Sequence, residues 1–279
     1  MEKTDEVIKS FFKDNKSFSY ETVKSYRIAL RQFFTFFQIN YDEVKAGNIR
    51  TWLAQLDETG FKPRSIQLKL AALKSFYNYC LEECLINKNP SISVKSPKIE
   101  DSLPVYLNQY ELAKLMEEAK GFPRERAIIE TLYATGVRVS ELLNIREVDI
   151  KWETKLIWIR KGKGCKERYV LFTTECAERL KAYLATRNEE SPYLFCNKRG
   201  KHLSQTWVQT VLKSYAHNAN LVSKVTPHTL RHTFAAHLAE KDMPHCYIQE
   251  LLGHADINTT RIYTKLSAAA RKKRYDRYQ

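Results

Sequence analysis

The sequence predicts a mainly helical protein with a small β-sheet, built in two parts. Apolar and aromatic residues recur at helical spacing through the first ninety or so positions. Residues 87–104 then break this pattern, with three prolines, several serines and little periodicity. Two short β-rich runs around a glycine-containing turn interrupt the helices that follow. We therefore predict a helical domain at 1–88, a linker at 89–104 and a second domain at 105–279.

The first part contains two stripes that indicate buried helix faces. One consists of Val23, Tyr26, Leu30, Phe33, Phe34 and Phe37, and the other of Ile66, Leu70, Leu73, Phe76, Tyr77 and Cys80. Pro63 precedes the second stripe and suits the first turn of a helix. Four cations lie among these residues, namely Lys62, Arg64, Lys69 and Lys74. They form either a solvated charged face or a surface that meets phosphate groups.

The second part begins with helical patterns at 107–119 and 126–133. The runs 156–159 and 169–172 then predict a β-hairpin, because they enclose the segment RKGKGCKER, with two glycines and five cations. Helical patterns resume at Thr174 and at Ser204.

Two further helices are predicted from their end signals. Thr226 and Pro227 suit the cap and first turn of a helix over 228–240. Pro244 begins the next helix, and Gly253 ends it.

The charge of the chain indicates a polyanionic partner. The formal net charge is +14 and the sequence pI is about 9.4, which favours nucleic acid or an anionic membrane. The membrane alternative is weak because no apolar run approaches the ~20 residues that span a bilayer. The start MEKTDEVIKS lacks the apolar core of a signal peptide, so a cytoplasmic protein without membrane contact is expected.

Four segments carry side chains that can act on a phosphodiester. They are ATGVRVSEL with Arg138, GKG with Lys163, HTLRH with His228, Arg231 and His232, and LLGHADINTTRIYT with His254 and Tyr263.

The chemistry of these groups is complementary. His228 and Arg231 are three residues apart on one helix and share a face. Two arginines from separate segments can hold the two non-bridging oxygens of one phosphate, which gain negative charge when phosphorus becomes five-coordinate. A lysine at a hairpin turn can protonate a departing sugar oxygen, and a tyrosine hydroxyl is a usable nucleophile once its proton is accepted.

The order Arg138, Lys163, His228-x-x-Arg231, His254, Tyr263 resembles the tyrosine recombinase family, also called the phage integrase family. Within it, ATGVRVSEL, GKGCKER, PHTLRHTFAAHL and LLGHADINTTRIYT are similar to the Xer-type site-specific recombinases. The resemblance spans nearly the whole chain. It implies a clamp around DNA, made of a helical core-binding domain and an α-rich catalytic domain with a β-hairpin.

The resemblance also implies how the strand is cut. Tyr263 would attack the scissile phosphate and form a 3′-phosphotyrosyl link, and Lys163 would protonate the 5′-hydroxyl that leaves. His228 would assist proton transfer, for example by accepting the tyrosine proton.

The remaining residues would bind or support the phosphate. Arg138 and Arg231 would hold its non-bridging oxygens, and His254 would donate a hydrogen bond to it. Glu141 and His232 would support these side chains without touching DNA.

No cofactor is expected. The chain lacks the G-x-x-x-x-G-K-[ST] pattern of an ATP site and the dense carboxylate cluster of two-metal nucleases. A phosphotyrosyl ester keeps the energy of the broken bond, so religation needs neither ATP nor metal.

The expected partner is a double-stranded DNA recombination site, bound by a homotetramer on two duplexes or by a tetramer that includes a paralogous recombinase. Dimer resolution, integration or excision, and inversion of a segment all stay open.

Three other functions compete with recombination. A zinc enzyme could use His228 and His232, which are four residues apart, but neither an H-E-x-x-H motif nor a third ligand is evident. A DNA-binding module with an inactive site conflicts with the intact set of six residues. A type IB topoisomerase would share the chemistry and would differ in relaxing supercoiled DNA of any sequence.

Overall fold

The computed structural model describes residues 2–98, 105–160 and 167–253. They form a mainly helical structure with a three-stranded antiparallel sheet, so the predicted fold class is confirmed. The chain divides into two compact units, Met1–Asp101 and Ser102–Gln279. Within the described ranges, none of the helices has the length and apolar character needed to span a bilayer.

The described residues of unit 1 form a bundle of four α-helices. They are α1 (Glu2–Asp14), α2 (Tyr20–Phe37), α3 (Ala46–Glu58) and α4 (Pro63–Glu82). Both predicted stripes contribute to its core, since Leu30, Phe33, Leu70 and Phe76 are fully buried. Pro63 occupies the first turn of α4, where its missing N–H costs no hydrogen bond.

The packing of unit 1 continues past residue 88. The Asn89 side chain accepts hydrogen bonds from the backbone N–H and the hydroxyl of Ser91, at 2.8 and 2.7 Å, and its amide donates to Oδ1 of Asn78 on α4 at 2.7 Å. Val94 is buried in the same core. The beginning of the segment predicted as an extended linker is therefore folded in unit 1.

Lys69 differs from the other cations of unit 1. Its side chain is nearly buried on α4, and its ammonium group donates a hydrogen bond to Gln32. The same group lies 5.0 Å from the centre of the Phe61 ring and 5.9 Å from that of Trp52. Burial lowers the pKa of this amine. Lys69 thus belongs to the interior of unit 1 rather than to a charged outer face.

Unit 2 contains the sheet and seven α-helices within the described ranges. In chain order these elements are α5 (Gln109–Glu118), α6 (Pro123–Thr135), α7 (Val139–Leu143), β1 (Ile150–Lys151), β2 (Leu156–Ile159), β3 (Arg168–Leu171), α8 (Thr174–Thr186), α9 (Gln205–Asn218), α10 (Pro227–Glu240) and α11 (His245–Leu252). Thr226 caps α10 through its hydroxyl, as predicted, and the hydroxyl of Ser204 caps α9 in the same way.

The β-hairpin pairs β2 with β3, with Ile157 opposite Val170. The second strand begins one residue earlier than predicted, at Arg168. The strand β1 was not predicted, because two residues are too few to show an alternating pattern. It extends the sheet beside β2.

Helix α6 packs against both α8 and α10 in the core of unit 2. Leu132 of α6, Leu180 of α8 and Leu230 of α10 are fully buried in this core. Because α6 is fixed on two sides, the segment that follows it is held against α10. That segment carries Arg138.

Candidate active site

The turn after α6 requires a glycine. Gly136 ends the helix with φ +61°, and its backbone N–H donates to the Leu132 carbonyl at 3.1 Å. A Cβ atom at this position would lie 2.5 Å from Cδ1 of Phe234 and 2.9 Å from Cδ2 of Leu252. Any side chain at position 136 would therefore have to displace Phe234 of α10 and Leu252 of α11.

Arg231 links this turn to two other elements. It lies on α10, is only 5% exposed, and donates from Nη1 to the Gly136 carbonyl at 2.6 Å. Its Nη2 donates to the Leu252 carbonyl at the end of α11, at 2.8 Å. These bonds fix the plane of the guanidinium group beside the loop that carries Arg138.

Arg138 is positioned by Glu141. Arg138 precedes α7, and its backbone N–H donates to Oε2 of Glu141 at 2.9 Å. Its Nη1 donates to Oε1 of the same carboxylate, also at 2.9 Å. In the described part of the chain, Nε and Nη2 of Arg138 have no hydrogen-bond acceptor. This edge of the guanidinium group can receive two oxygens of a phosphate.

Arg168 is a site residue that the sequence interpretation missed. It begins β3 and donates from Nη1 and Nη2 to the two oxygens of Glu141, both at 2.9 Å. The alternation of buried and exposed residues along β3 could have identified it. Arg168 and Val170 point to the same face of β3, and Val170 is buried, so a cation at position 168 needs a buried acid as partner.

Glu141 is a buried carboxylate shared by two arginines. Burial acts to raise the pKa of this carboxylate. Two effects outweigh burial: the hydrogen bonds from Arg168 and from the Arg138 backbone, and the charges of both guanidinium groups. The pKa of Glu141 is therefore lowered and the group stays ionised at neutral pH.

His228 lies one helical turn before Arg231, in the first turn of α10. Partial burial lowers the pKa of His228, and so do the positive charges of Arg231 and Arg138. The pKa of His232 is lowered by burial and by the charges of His228 and Arg231. Both imidazoles are thus neutral at neutral pH, the form that can accept a proton.

The structure brings together five of the predicted residues: Arg138, Glu141, His228, Arg231 and His232. Lys163, His254 and Tyr263 lie outside the described residues. Their roles stay predictions.

Among the described residues, the zinc alternative gains no further ligand. In the ranges that the structure describes, no three His, Cys, Asp or Glu side chains are grouped as a metal site would require.

Gly136→Ala should destabilise unit 2 and slow DNA cleavage. The added methyl group must enter space filled by Phe234 and Leu252, at a backbone angle that disfavours side chains. Overpacking of this kind costs about 1–3 kcal/mol, and the left-handed angle adds roughly 1 kcal/mol. Thermal unfolding measures the loss. Gly121→Ala is the matched control, since nothing lies within 4 Å of the added atom. Equal melting temperatures for the two variants would contradict this account.

Comparisons with known proteins agree with this geometry. Residues 106–270 match the phage integrase family, and residues 9–83 match the phage integrase N-terminal SAM-like domain. Tyrosine recombinase XerC of Thermodesulfovibrio yellowstonii is 38% identical over 265 residues, which cover 89% of this chain and 87% of that protein. Tyrosine recombinase XerA of Pyrococcus furiosus is 38% identical over 263 residues, with 93% and 88% covered.

A solved structure shows the same fold. It is the XerH site-specific recombinase bound to its palindromic difH substrate in a post-cleavage complex. The TM-score is 0.77 at 25% identity, and the match covers 91% of this chain and 78% of that one. The family model covers more than half of the chain and the relatives cover most of it, so this protein belongs to the phage integrase family and is a tyrosine recombinase of the Xer type.

Proposed function

We propose that this protein recombines DNA at a specific duplex site, cutting each strand with Tyr263 and rejoining it without metal or ATP. The observation that carries the proposal is the fixed pair of guanidinium groups. Arg231 donates to the carbonyl of Gly136, and Arg138 follows that residue by two positions on the same short loop. Guanidinium groups anchored at one loop can bind the two non-bridging oxygens of a single phosphate.

The two arginines suit a phosphate that gains charge during reaction. The orientation of Arg231 is set by two backbone carbonyls, and that of Arg138 by Glu141. Groups that are already oriented need no rearrangement when the phosphorus becomes five-coordinate, so they stabilise the transition state more than the substrate.

Proton transfer is assigned to His228 and Lys163. The phenol oxygen of Tyr263 attacks phosphorus while His228 accepts its proton. The bond from phosphorus to the 5′-oxygen breaks, and Lys163 supplies a proton to that oxygen. Religation runs the same steps in reverse, with a 5′-hydroxyl attacking the 3′-phosphotyrosyl ester. His254 donates a hydrogen bond to the phosphate, and His232 supports His228.

DNA binding is assigned to both parts of the chain. We place the core-binding domain at 1–88 and the catalytic domain at 105–279. Of the linker proposed at 89–104, residues 89–94 pack onto the core-binding domain. The net charge of +14 supports sequence-independent attraction to phosphate, which weakens as salt rises. We further propose that four subunits act on two duplexes, in the cytoplasm.

The rate of cleavage should fall at acidic pH because His228 must be neutral. Its pKa is lowered from the ordinary value of 6.5, so the neutral form is complete above that value and is lost only as the pH falls through the lowered pKa. We expect kcat/KM for a nicked duplex to be level around neutral pH and to decline at lower pH, with a midpoint below 6.5. In the His228→Gln variant this decline should disappear, and kcat/KM at neutral pH should be lower than in the wild type. An unchanged profile in that variant would show that another group titrates.

The function itself is tested by trapping the protein on genomic DNA of the organism that encodes it. Denaturation captures covalent complexes, and sequencing gives the DNA ends attached to protein. A site-specific recombinase yields one recurrent sequence with ends at fixed positions. Ends scattered over many sequences, with relaxation of any supercoiled plasmid, would favour a topoisomerase and overturn the proposal.

A further inference from the structure

We propose that Arg168 is a positioning residue. It balances the negative charge of the ionised Glu141, so that the positive charge of Arg138 stays available to the scissile phosphate. This inference rests on the proposed function of Arg138. Arg168 binds the same carboxylate as Arg138: its Nη1 and Nη2 each lie 2.9 Å from one oxygen of Glu141.

The charge balance of the cluster explains the need for a second arginine. Glu141 alone would cancel the charge of Arg138 and would hold its guanidinium group in a neutral pair. With Arg168 present, the two cations and one anion leave a net charge of +1. Because the side chain of Glu141 is only 1% exposed, water cannot supply this compensation.

The placement of Arg168 is also unusually restricted. Its side chain is 15% exposed, and its Nε is buried without an acceptor in the described part of the chain. A Cβ atom on Gly253 would lie 2.8 Å from this nitrogen, so the end of α11 passes directly over the guanidinium group. Arg168 therefore meets Glu141 on one side and the residue before His254 on the other. A lysine has a single ammonium group instead of a planar guanidinium group, so it cannot donate two parallel hydrogen bonds to the carboxylate.

Arg160 provides a matched control at the opposite end of the same segment. Its Nε donates to Oδ1 of Asp149 at 2.8 Å, and Asp149 also accepts from the backbone N–H of Arg146 at 3.0 Å. Arg160 and Arg168 thus both pair with a buried carboxylate beside the segment that carries Lys163. Only the carboxylate of Arg168 is bonded to Arg138 as well.

Two altered substrates separate the action on Arg138 from an action on Lys163. A methylphosphonate at the scissile position removes the charge of one non-bridging oxygen, so cleavage depends less on Arg138. A 5′-bridging sulfur is a good leaving group that needs no proton from Lys163. Both are placed in a nicked duplex of the trapped site, and single-turnover adduct formation is measured with the full-length protein.

Arg168→Met should slow adduct formation on ordinary phosphate by roughly 10- to 100-fold. The same defect should persist on the 5′-sulfur substrate and shrink to about threefold or less on the methylphosphonate. Arg160→Met should show no such recovery on the methylphosphonate. A defect of Arg168→Met that disappears on the 5′-sulfur substrate and persists on the methylphosphonate would overturn the inference, and so would no defect at all.

A second comparison covers the case in which Arg168→Met unfolds. Arg168→Lys keeps the charge but not the planar guanidinium group, and its defect should show the same recovery on the methylphosphonate. In the Arg138→Ala background, adding Arg168→Lys should slow cleavage no further, because the residue through which it acts is gone. Additive defects would contradict the inference. Wild-type protein that forms no adduct on any substrate would instead refute the proposed function.

Discussion

Tyr263→Phe should form no covalent complex with a nicked recombination site, while its affinity for the same DNA stays close to that of the wild type. Phenylalanine keeps the ring and removes only the oxygen that attacks phosphorus, so the 3′-phosphotyrosyl ester cannot form. Denaturing gels with end-labelled DNA measure the adduct, and gel shifts at fixed salt measure the affinity.

The chain offers two matched controls for this variant. Tyr275 and Tyr278 lie in the same basic carboxyl-terminal segment, and Tyr275→Phe and Tyr278→Phe should retain the adduct. If Tyr263→Phe still became linked to DNA and one of these two variants did not, the nucleophile would have been assigned to the wrong tyrosine.

Lys163→Ala should slow the cleavage of ordinary DNA by about 10²–10⁴-fold, the range expected when a general acid is lost. On a duplex with a 5′-bridging sulfur the same variant should cleave nearly as fast as the wild type. Sulfur leaves as a stable thiolate, so the proton from the lysine is no longer required. Single-turnover rates on the two substrates give the comparison.

Lys161→Ala is the control for loss of charge in the same segment, and it should behave alike on both substrates. Equal slowing of Lys163→Ala on oxygen and sulfur leaving groups would mean that Lys163 binds DNA or orders the segment and does not donate the proton.

Most of the fold could be predicted because its signals are local. Thr226, Ser204 and Gly253 mark helix ends through hydrogen bonds or backbone angles within a few residues of themselves. Helical stripes depend on the spacing of apolar residues alone. The brief strand β1 and the folding of residues 89–94 onto unit 1 carry no such pattern, so the sequence did not reveal them.

The site was predicted less completely, because its contacts join distant positions. The i,i+3 pair Arg138 and Glu141 is visible in the sequence, but its burial is not. Arg168 is one of five cations in RKGKGCKER, and the only local feature that separates it from the others is that it lies two residues before the buried Val170 on the same strand. Its bond to Glu141 spans 27 residues and depends on how β3 packs beside α7. Lys69 shows the opposite case, a cation that the fold removes from the surface.

Arg138, Arg231 and Tyr263 are expected to act on one phosphorus atom, and a crystal structure of the trapped covalent complex would show whether they do. We expect the Tyr263 oxygen to be bonded to a 3′-phosphate whose non-bridging oxygens accept hydrogen bonds from Arg138 and Arg231, at about 2.7–2.9 Å. A phosphotyrosyl group bound away from both guanidinium groups would contradict the account.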